Sequence, residues 1–144
     1  MTRSPSLARS RAVDLSIFVA IVDGPLAAAA PWSAAGAGAV LSFEGVVRPT
    51  EDGAEIDALD YDSYRPMAQT MLEELAQEML ASHGLEAVSV EHAVGRVAVG
   101  AISFRLRIAS QHRVEGLAAA TEFISRMKDD VPLFKVPVVK EVST

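Results

Sequence analysis

The sequence predicts a single α+β domain, because two amphipathic helical segments are interspersed among β-rich segments joined by short turns. One helical segment begins at Pro66, has Met67, Met71, Leu75 and Met79 at intervals of four, and ends at His83-Gly84. The second spans about 114–128, with apolar residues on one face, and ends at Val131-Pro132. The strong alternation of apolar residues over 102–108 is typical of a half-buried strand.

The composition restricts the class of protein. A chain of 144 residues with 50% hydrophobic content matches one domain, which we assign to 14–144. No stretch approaches the roughly 18 apolar residues of a membrane span, so we expect a soluble protein. The absence of cysteine excludes disulfides and cysteine nucleophiles, and the three histidines lack the spacing of a helical zinc site. A net charge of -6 argues against a nucleic-acid-binding surface.

Residues 1–13 predict a disordered N-terminal tail. The first twelve carry Arg3, Arg9 and Arg11 with several serines and no acidic residue, which is formally the composition of an organellar transit peptide. A disordered tail or a misplaced start codon is the preferred interpretation, because the segment is short and Pro5 interrupts any helix.

The first half of the domain contains three predicted strands. Residues 14–22 are β-branched and aromatic, 36–48 form a second strand with a bulge at Gly45, and 56–64 form a third. Asp52-Gly53 is a turn signal, so the second and third strands are predicted to pair as a hairpin. The alanine-rich segment 26–35 contains Pro31, which limits any helix there to a short or broken one.

The second half adds β-rich segments on either side of the second helix. Residues 87–93 and 97–109 are predicted to be antiparallel strands, joined around Gly95 and with a further turn at Gly100. Residues 133–139 resemble an edge strand, because Pro137 has no N–H to donate to an interior ladder.

Three places hold polar residues that the fold does not obviously require. They are Arg48 at a strand end, 111–113 at a strand-to-helix junction, and Lys128 with Lys135 around Pro132. Each also has an ordinary explanation: a solvated strand end, a helix cap, or a lysine that complements a helix dipole. These residues alone indicate only an α+β domain with an anion pocket.

Four separated segments, however, resemble one protein family in their amino-acid sequences and in their order along the chain. GAVLSFEGVVR (38–48), LDYDSYRPMA (59–68), VEHAVGRVAVG (90–100) and ASQHRVEGLAAATEFISRMKDDVPLFK (109–135) are similar to the large, catalytic subunit of molybdopterin synthase. The resemblance extends over nearly the whole domain. It implies an α/β hammerhead-like fold with an additional antiparallel β subdomain, and a cytoplasmic homodimer that binds two small ubiquitin-like subunits as a heterotetramer.

The resemblance also implies the reaction. Cyclic pyranopterin monophosphate is converted to molybdopterin, in molybdenum cofactor biosynthesis, by two sulfur transfers from a thiocarboxylate at the small subunit's C-terminus. No resident cofactor, metal, nucleic acid or membrane is implied. A different class of function is a scaffold subunit, an inactive or weak paralogue that pairs with the ubiquitin-like carrier without making product. An unrelated phosphate-binding domain ranks lowest, because the chain lacks a GxxxxGK[ST] loop.

Carried over by position, the family's pocket falls on six residues of this chain: Phe43, Arg48, His112, Arg113, Lys128 and Lys135. Arg48 and Arg113 are the expected phosphate clamps, because a guanidinium binds an anion through two donors. Lys128 is the expected main catalytic residue, made able to exchange protons by neighbouring cations and partial desolvation. Lys135 is expected to stabilise negative charge.

His112 is expected to donate a proton or orient the substrate, whereas Phe43 is expected to be a wall of the pocket or part of the core rather than a reactive group. The 61–67 segment and His92 are interpreted as mainly structural. The chain departs from the family's usual pattern at Ala93, Gln111 and the segment from Phe134 to Pro137, so the pocket edge formed by that segment is the feature least well predicted.

Overall fold

The computed structural model describes residues 16–141, so the predicted tail at 1–13 lies outside the described residues. Strands and helices are mixed along the chain, and the predicted α+β class is confirmed. The strands are β1 (Ile17–Asp23), β2 (Ala39–Val46), β3 (Thr50–Glu51), β4 (Ala54–Ser63), β5 (Ala87–Ala98), β6 (Ile102–Ser110) and β7 (Leu133–Val139), and the helices are α1 (Arg65–His83) and α2 (Arg113–Asp130).

Four strands form the sheet on which the helices pack. Their order is β2, β6, β5, β1, with β1 parallel to β5 and the other two pairs antiparallel. Both helices contact these strands, and their apolar faces form one core with β5 and β6 that includes Leu72, Met79, Leu106 and Phe123. Full burial of such a side chain contributes about 1.5–3 kcal/mol, so this core accounts for much of the stability of the domain.

The remaining strands form an antiparallel extension. Gly95 lies within β5 at φ 84°, a backbone conformation that favours glycine. Before this residue β5 pairs with β1 and β6, and from Gly95 to Ala98 it pairs with β4. On its other side β4 pairs with β7, which is an edge strand as predicted. The single strand β5 therefore connects the helix-covered sheet to the antiparallel extension.

One predicted strand pairing is wrong. The strand predicted at 36–48 is β2, but it pairs with β6 rather than with β4, and the Asp52-Gly53 turn instead joins the short β3 to β4. The turn chemistry was predicted correctly, since both turn residues have positive φ. Alternation identifies a strand and its buried face but not its partner, which long-range packing selects.

One further expectation needs correction. The strand predicted to end before Gly95 continues through it as β5, so the break between the two predicted strands falls at the expected turn around Gly100, after which β6 begins. The alanine-rich segment 26–35 has no helix, in keeping with the effect predicted for Pro31. Arg105 donates to the carbonyl of Ala27 at 2.6 Å and Arg107 to that of Ala30 at 2.7 Å. The guanidinium groups hold this segment against the sheet as an irregular strap.

The helix boundaries follow the local signals. Pro66 lies at the start of α1, and Gly84 ends it in the left-handed conformation, with its N–H bonded to the carbonyl of Leu80. In α2 the N-cap is His112, whose backbone N–H donates to the Glu115 carboxylate at 3.1 Å. Lys128 lies in the last turn of this helix. The two ends of α2 therefore carry different members of the predicted site.

Candidate active site

A cavity of about 530 Å³ lies where the helix-covered sheet meets the antiparallel extension. Strands from both parts and the last two turns of α2 form its walls. Its lining includes the side chains of Phe43, Arg48, Glu51, Tyr61, His92, Phe104, Met127, Lys128 and Lys135. Four of the six predicted site residues, Phe43, Arg48, Lys128 and Lys135, are thus brought to one cavity from distant parts of the chain.

A carboxylate joins two of the cations. Glu51 Oε2 lies 2.7 Å from Lys135 Nζ, and its Oε1 lies 3.8 Å from Arg48 Nη2. The Glu51 side chain is only 12% exposed, whereas those of Arg48 and Lys135 are 79% and 51% exposed. The hydrogen bond from Lys135 and the charges of both cations hold the pKa of Glu51 below its usual range. In the single chain, Glu51 therefore occupies the place that an anionic ligand of these cations would take.

Lys128 has a different environment. It is exposed in the last turn of α2 and makes no ion pair with any residue of 16–141. The partial desolvation predicted for it is therefore not supplied by this chain alone. An unpaired ammonium at the rim of the cavity remains available to an incoming anion.

The structure does not bring His112 and Arg113 into this cavity. They lie at the first turn of α2, and its 18 residues at about 1.5 Å per residue separate them from Lys128 by most of the length of the helix. Within the single chain, four of the six predicted residues therefore share the cavity, and His112 and Arg113 lie outside it. The sequence did not reveal this separation, because residue spacing does not show which end of a helix lies near a distant strand.

The inner wall of the cavity is aromatic. The rings of Phe43 and Phe104 lie 6.1 Å apart, and His92 contacts Tyr61 edge-on at 5.3 Å and Phe104 at 5.8 Å. The prediction that Phe43 is a wall agrees with this arrangement. The cavity therefore has an apolar inner wall and a charged mouth, a combination suited to a flat ring that carries a phosphate.

His92 is buried, with 5% of its surface exposed. Its Nδ1 lies 2.8 Å from the carbonyl oxygen of Ala93, which satisfies one ring nitrogen as expected of a structural histidine. Burial lowers its pKa, and the hydrogen bond to Ala93 opposes that effect. His92 also lines the cavity, a position the sequence did not indicate.

Sequence reasoning missed Glu51 and Tyr61 as members of the site. Glu51 follows Arg48 by three residues, and a charged residue at that distance beside a predicted turn was a usable local signal. Nothing local connects either residue with Lys135, because both lie more than seventy positions before it in the sequence. Tyr61 lies opposite Lys135 in that pairing.

Within residues 16–141, no group of three or more His, Asp or Glu side chains is arranged to hold a metal ion. The same part of the chain contains no helix that is both long and apolar enough to cross a membrane.

Several known proteins are similar to this chain. It is 31% identical to the molybdopterin synthase catalytic subunit of Thermoplasma volcanium over 104 residues, which is 72% of this chain and 76% of that protein. It is 34% identical to the Arabidopsis thaliana protein of the same name over 78% of this chain, but that match spans only 54% of the plant protein. For the human protein the identity is 29%, over 74% of this chain and 57% of the relative.

Solved structures have the same fold. The crystal structure of molybdopterin synthase from Staphylococcus aureus superimposes with a TM-score of 0.74 at 26% identity, covering 86% of this chain and 93% of that one. A complex of subunits 1 and 2 of molybdopterin-converting factor from Helicobacter pylori gives 0.68 at 23% identity, with 84% of each chain covered. The "MoaE protein" family matches residues 21–130, which confirms the predicted resemblance. The chain belongs to the MoaE protein family.

Proposed function

We propose that this chain is the catalytic subunit of a molybdopterin synthase and converts cyclic pyranopterin monophosphate to molybdopterin by two sulfur transfers. The observation that carries the proposal is the convergence of Arg48, Lys128 and Lys135 on one aromatic-walled cavity in a MoaE-family fold. The cations match a phosphate, and the aromatic wall matches a pterin ring.

Arg48, Lys128 and Lys135 have different roles in the proposed reaction. Arg48 and Lys135 bind the phosphate once it replaces Glu51 as their counterion, with Arg48 able to use two donors. Lys128 is exposed at the rim of the cavity and would exchange a proton with the substrate during sulfur addition. Lys135 stabilises negative charge that develops on the substrate or on the acyl leaving group. Docking of a partner over Lys128 would provide the desolvation that the single chain lacks.

The sulfur must come from another molecule, because the chain contains no cysteine. We propose a small ubiquitin-like subunit whose C-terminal thiocarboxylate enters the open mouth of the cavity beside Lys128. The H. pylori relative of this fold was solved as a complex of two subunits. A reaction of this kind needs no resident metal or cofactor, and we place it in the cytoplasm.

His112 and Arg113 would serve the cavity of a second copy of the chain. They are exposed at the far end of α2, too distant from Lys128 to share a ligand with it in the same chain. A homodimer that brings this helix end to the neighbour's cavity would complete the six-residue site. Two small subunits on such a dimer would form a heterotetramer.

The test combines the purified chain, a thiocarboxylated small subunit and cyclic pyranopterin monophosphate. Formation of the dithiolene product, followed by mass spectrometry, is the expected result, and omission of the thiocarboxylate is the control. Complex formation without product, using a carrier proven with another MoaE-family enzyme, would instead favour a scaffold function.

A further inference from the structure

His92 lines the cavity, but the proposed reaction gives it no role. It lies in β5 three residues before Gly95, where the strand leaves the helix-covered sheet. Tyr61 and Phe104 contact its ring, and it lines the cavity although it is 95% buried. A histidine with only a structural role has no need to reach the ligand space.

The backbone determines which ring nitrogen of His92 carries the proton. A carbonyl oxygen only accepts hydrogen bonds, so at 2.8 Å from the oxygen of Ala93 the Nδ1 atom must be the donor. In the neutral ring Nε2 then holds a lone pair and is an acceptor. No described residue is found to donate to Nε2.

The surroundings of the ring favour this neutral form. Both of its ring contacts, Tyr61 and Phe104, are uncharged. The charged groups that share its cavity are the cations Arg48, Lys128 and Lys135 and one acid, Glu51, which is already paired with Lys135. Burial lowers the pKa of His92, and a positive cavity adds to the cost of an imidazolium there. His92 is therefore an uncharged acceptor in a cavity whose charged groups are three cations and one carboxylate that is already paired.

We propose that His92 is a specificity-determining residue, whose Nε2 accepts a hydrogen bond from a ring N–H of the pterin while the cations at the mouth hold its phosphate. The proposal rests on the function proposed above. A reduced pterin carries N–H donors along its ring, and the cations can satisfy none of them because Arg and Lys have no acceptor. A cavity of about 530 Å³ accommodates a fused ring system of this size.

The first test observes the ring directly. The chain is labelled with ¹⁵N-histidine and long-range ¹H–¹⁵N correlations are recorded, with His92 assigned from the spectrum of His92→Gln. The expected tautomer is Nδ1–H with an unprotonated Nε2, and the Nε2 resonance should shift as cyclic pyranopterin monophosphate is added, while those of His83 do not. An Nε2–H tautomer, or an unmoved Nε2 resonance at ligand saturation, would overturn the proposal.

The second test uses kinetics. His92→Phe removes the acceptor and should raise KM at least about tenfold with kcat little changed, because a ligand donor is left unpaired. His92→Gln can restore an acceptor and should return KM to within about threefold of the wild-type value. His83→Gln, which alters a histidine paired with Glu122 outside the cavity, is the matched control. Equal KM values for His92→Phe and the wild type would contradict the assignment.

The two proposals fail differently. Turnover by the wild-type enzyme with an unresponsive His92 would remove only this inference. A wild-type chain that neither binds the pterin phosphate nor makes product with a proven carrier would overturn both.

Discussion

Lys135 Nζ and Glu51 Oε2 lie 2.7 Å apart, so the proposed phosphate-binding lysine already has an anionic partner within its own chain. Glu51 also lies within 3.8 Å of Arg48 and is the less exposed partner of both cations. Any phosphate that binds these two cations must therefore compete with a carboxylate provided by the chain itself.

Replacement of that carboxylate should tighten substrate binding. Glu51→Gln removes the competing charge, and we expect a KM about two- to fivefold lower, in keeping with the modest strength of ion pairs open to solvent. Steady-state kinetics measures the change, and Glu55→Gln, on an exposed position of β4, is the control. A higher KM for Glu51→Gln would mean that the carboxylate instead positions Lys135 for the ligand.

Removal of the Lys128 ammonium should abolish most product formation without unfolding the chain. Proton exchange by a positioned side chain contributes about 10²- to 10⁴-fold, so Lys128→Ala should lower kcat by at least about 100-fold. Because Lys128 is exposed, the free energy of unfolding should change by less than about 0.5 kcal/mol. Turnover and thermal unfolding are measured together, with Lys140→Ala, another exposed lysine, as the control. Turnover near the wild-type level would remove Lys128 from its proposed role.

The buried His92 should make the domain less stable in mild acid. Burial lowers its pKa in the folded state, so between that value and the ordinary value of about 6.5 the unfolded chain binds more protons. Stability from this group is therefore fully present above about pH 6.5 and is lost as the pH falls toward the lowered pKa. Urea unfolding at several pH values should show this decline in the wild type and a flatter profile in His92→Gln over the same window. Identical profiles would contradict the expectation.

A close backbone approach should make Gly38 intolerant of a side chain. A Cβ there would lie 2.4 Å from the backbone oxygen of Gln111, and Gly38 N–H already bonds to the carbonyl of Ser110 at 2.9 Å. Gly38→Ala should therefore destabilise the domain by about 1–3 kcal/mol, as overpacking usually does. In Gly45→Ala the added carbon meets the Cβ of Phe104 at an ordinary 3.4 Å, so a smaller loss is expected from chemical denaturation. Equal losses would show that general strand effects dominate.

The core of the domain should depend strongly on Phe123. This ring is fully buried on α2 and lies 6.5 Å from that of Phe104, which lines the cavity. Phe123→Ala should cost about 3–5 kcal/mol of unfolding free energy. Phe134→Ala, which removes a ring that is 59% exposed on β7, should cost less than about 0.5 kcal/mol. Comparable losses at the two positions would contradict the described core.

The sequence predictions were correct where a feature depends on neighbouring residues and wrong where it depends on residues far away in the chain. Helix α1 was predicted within a residue, because Pro66 and Gly84 act on the backbone next to them. The Asp52-Gly53 turn was predicted for the same reason, but its strand partner was not, because the pairing of β2 with β6 depends on residues about sixty positions away. Gly95 was read as a turn between strands, whereas tertiary pairing uses it as a bend within one strand.

The same distinction between local and long-range interactions applies to the candidate site. The sequence by itself determined the family, the α+β class and the ends of the helices. It also determined that the candidate site contains cationic side chains and that no cysteine is available. Only the tertiary structure decided that Glu51 pairs with two of the predicted cations, that His92 lines their cavity, and that His112 lies outside it at the other end of α2. The physical reason is that periodicity and turn chemistry act over a few residues, whereas a site is assembled by strand pairing and helix packing between segments far apart in the chain.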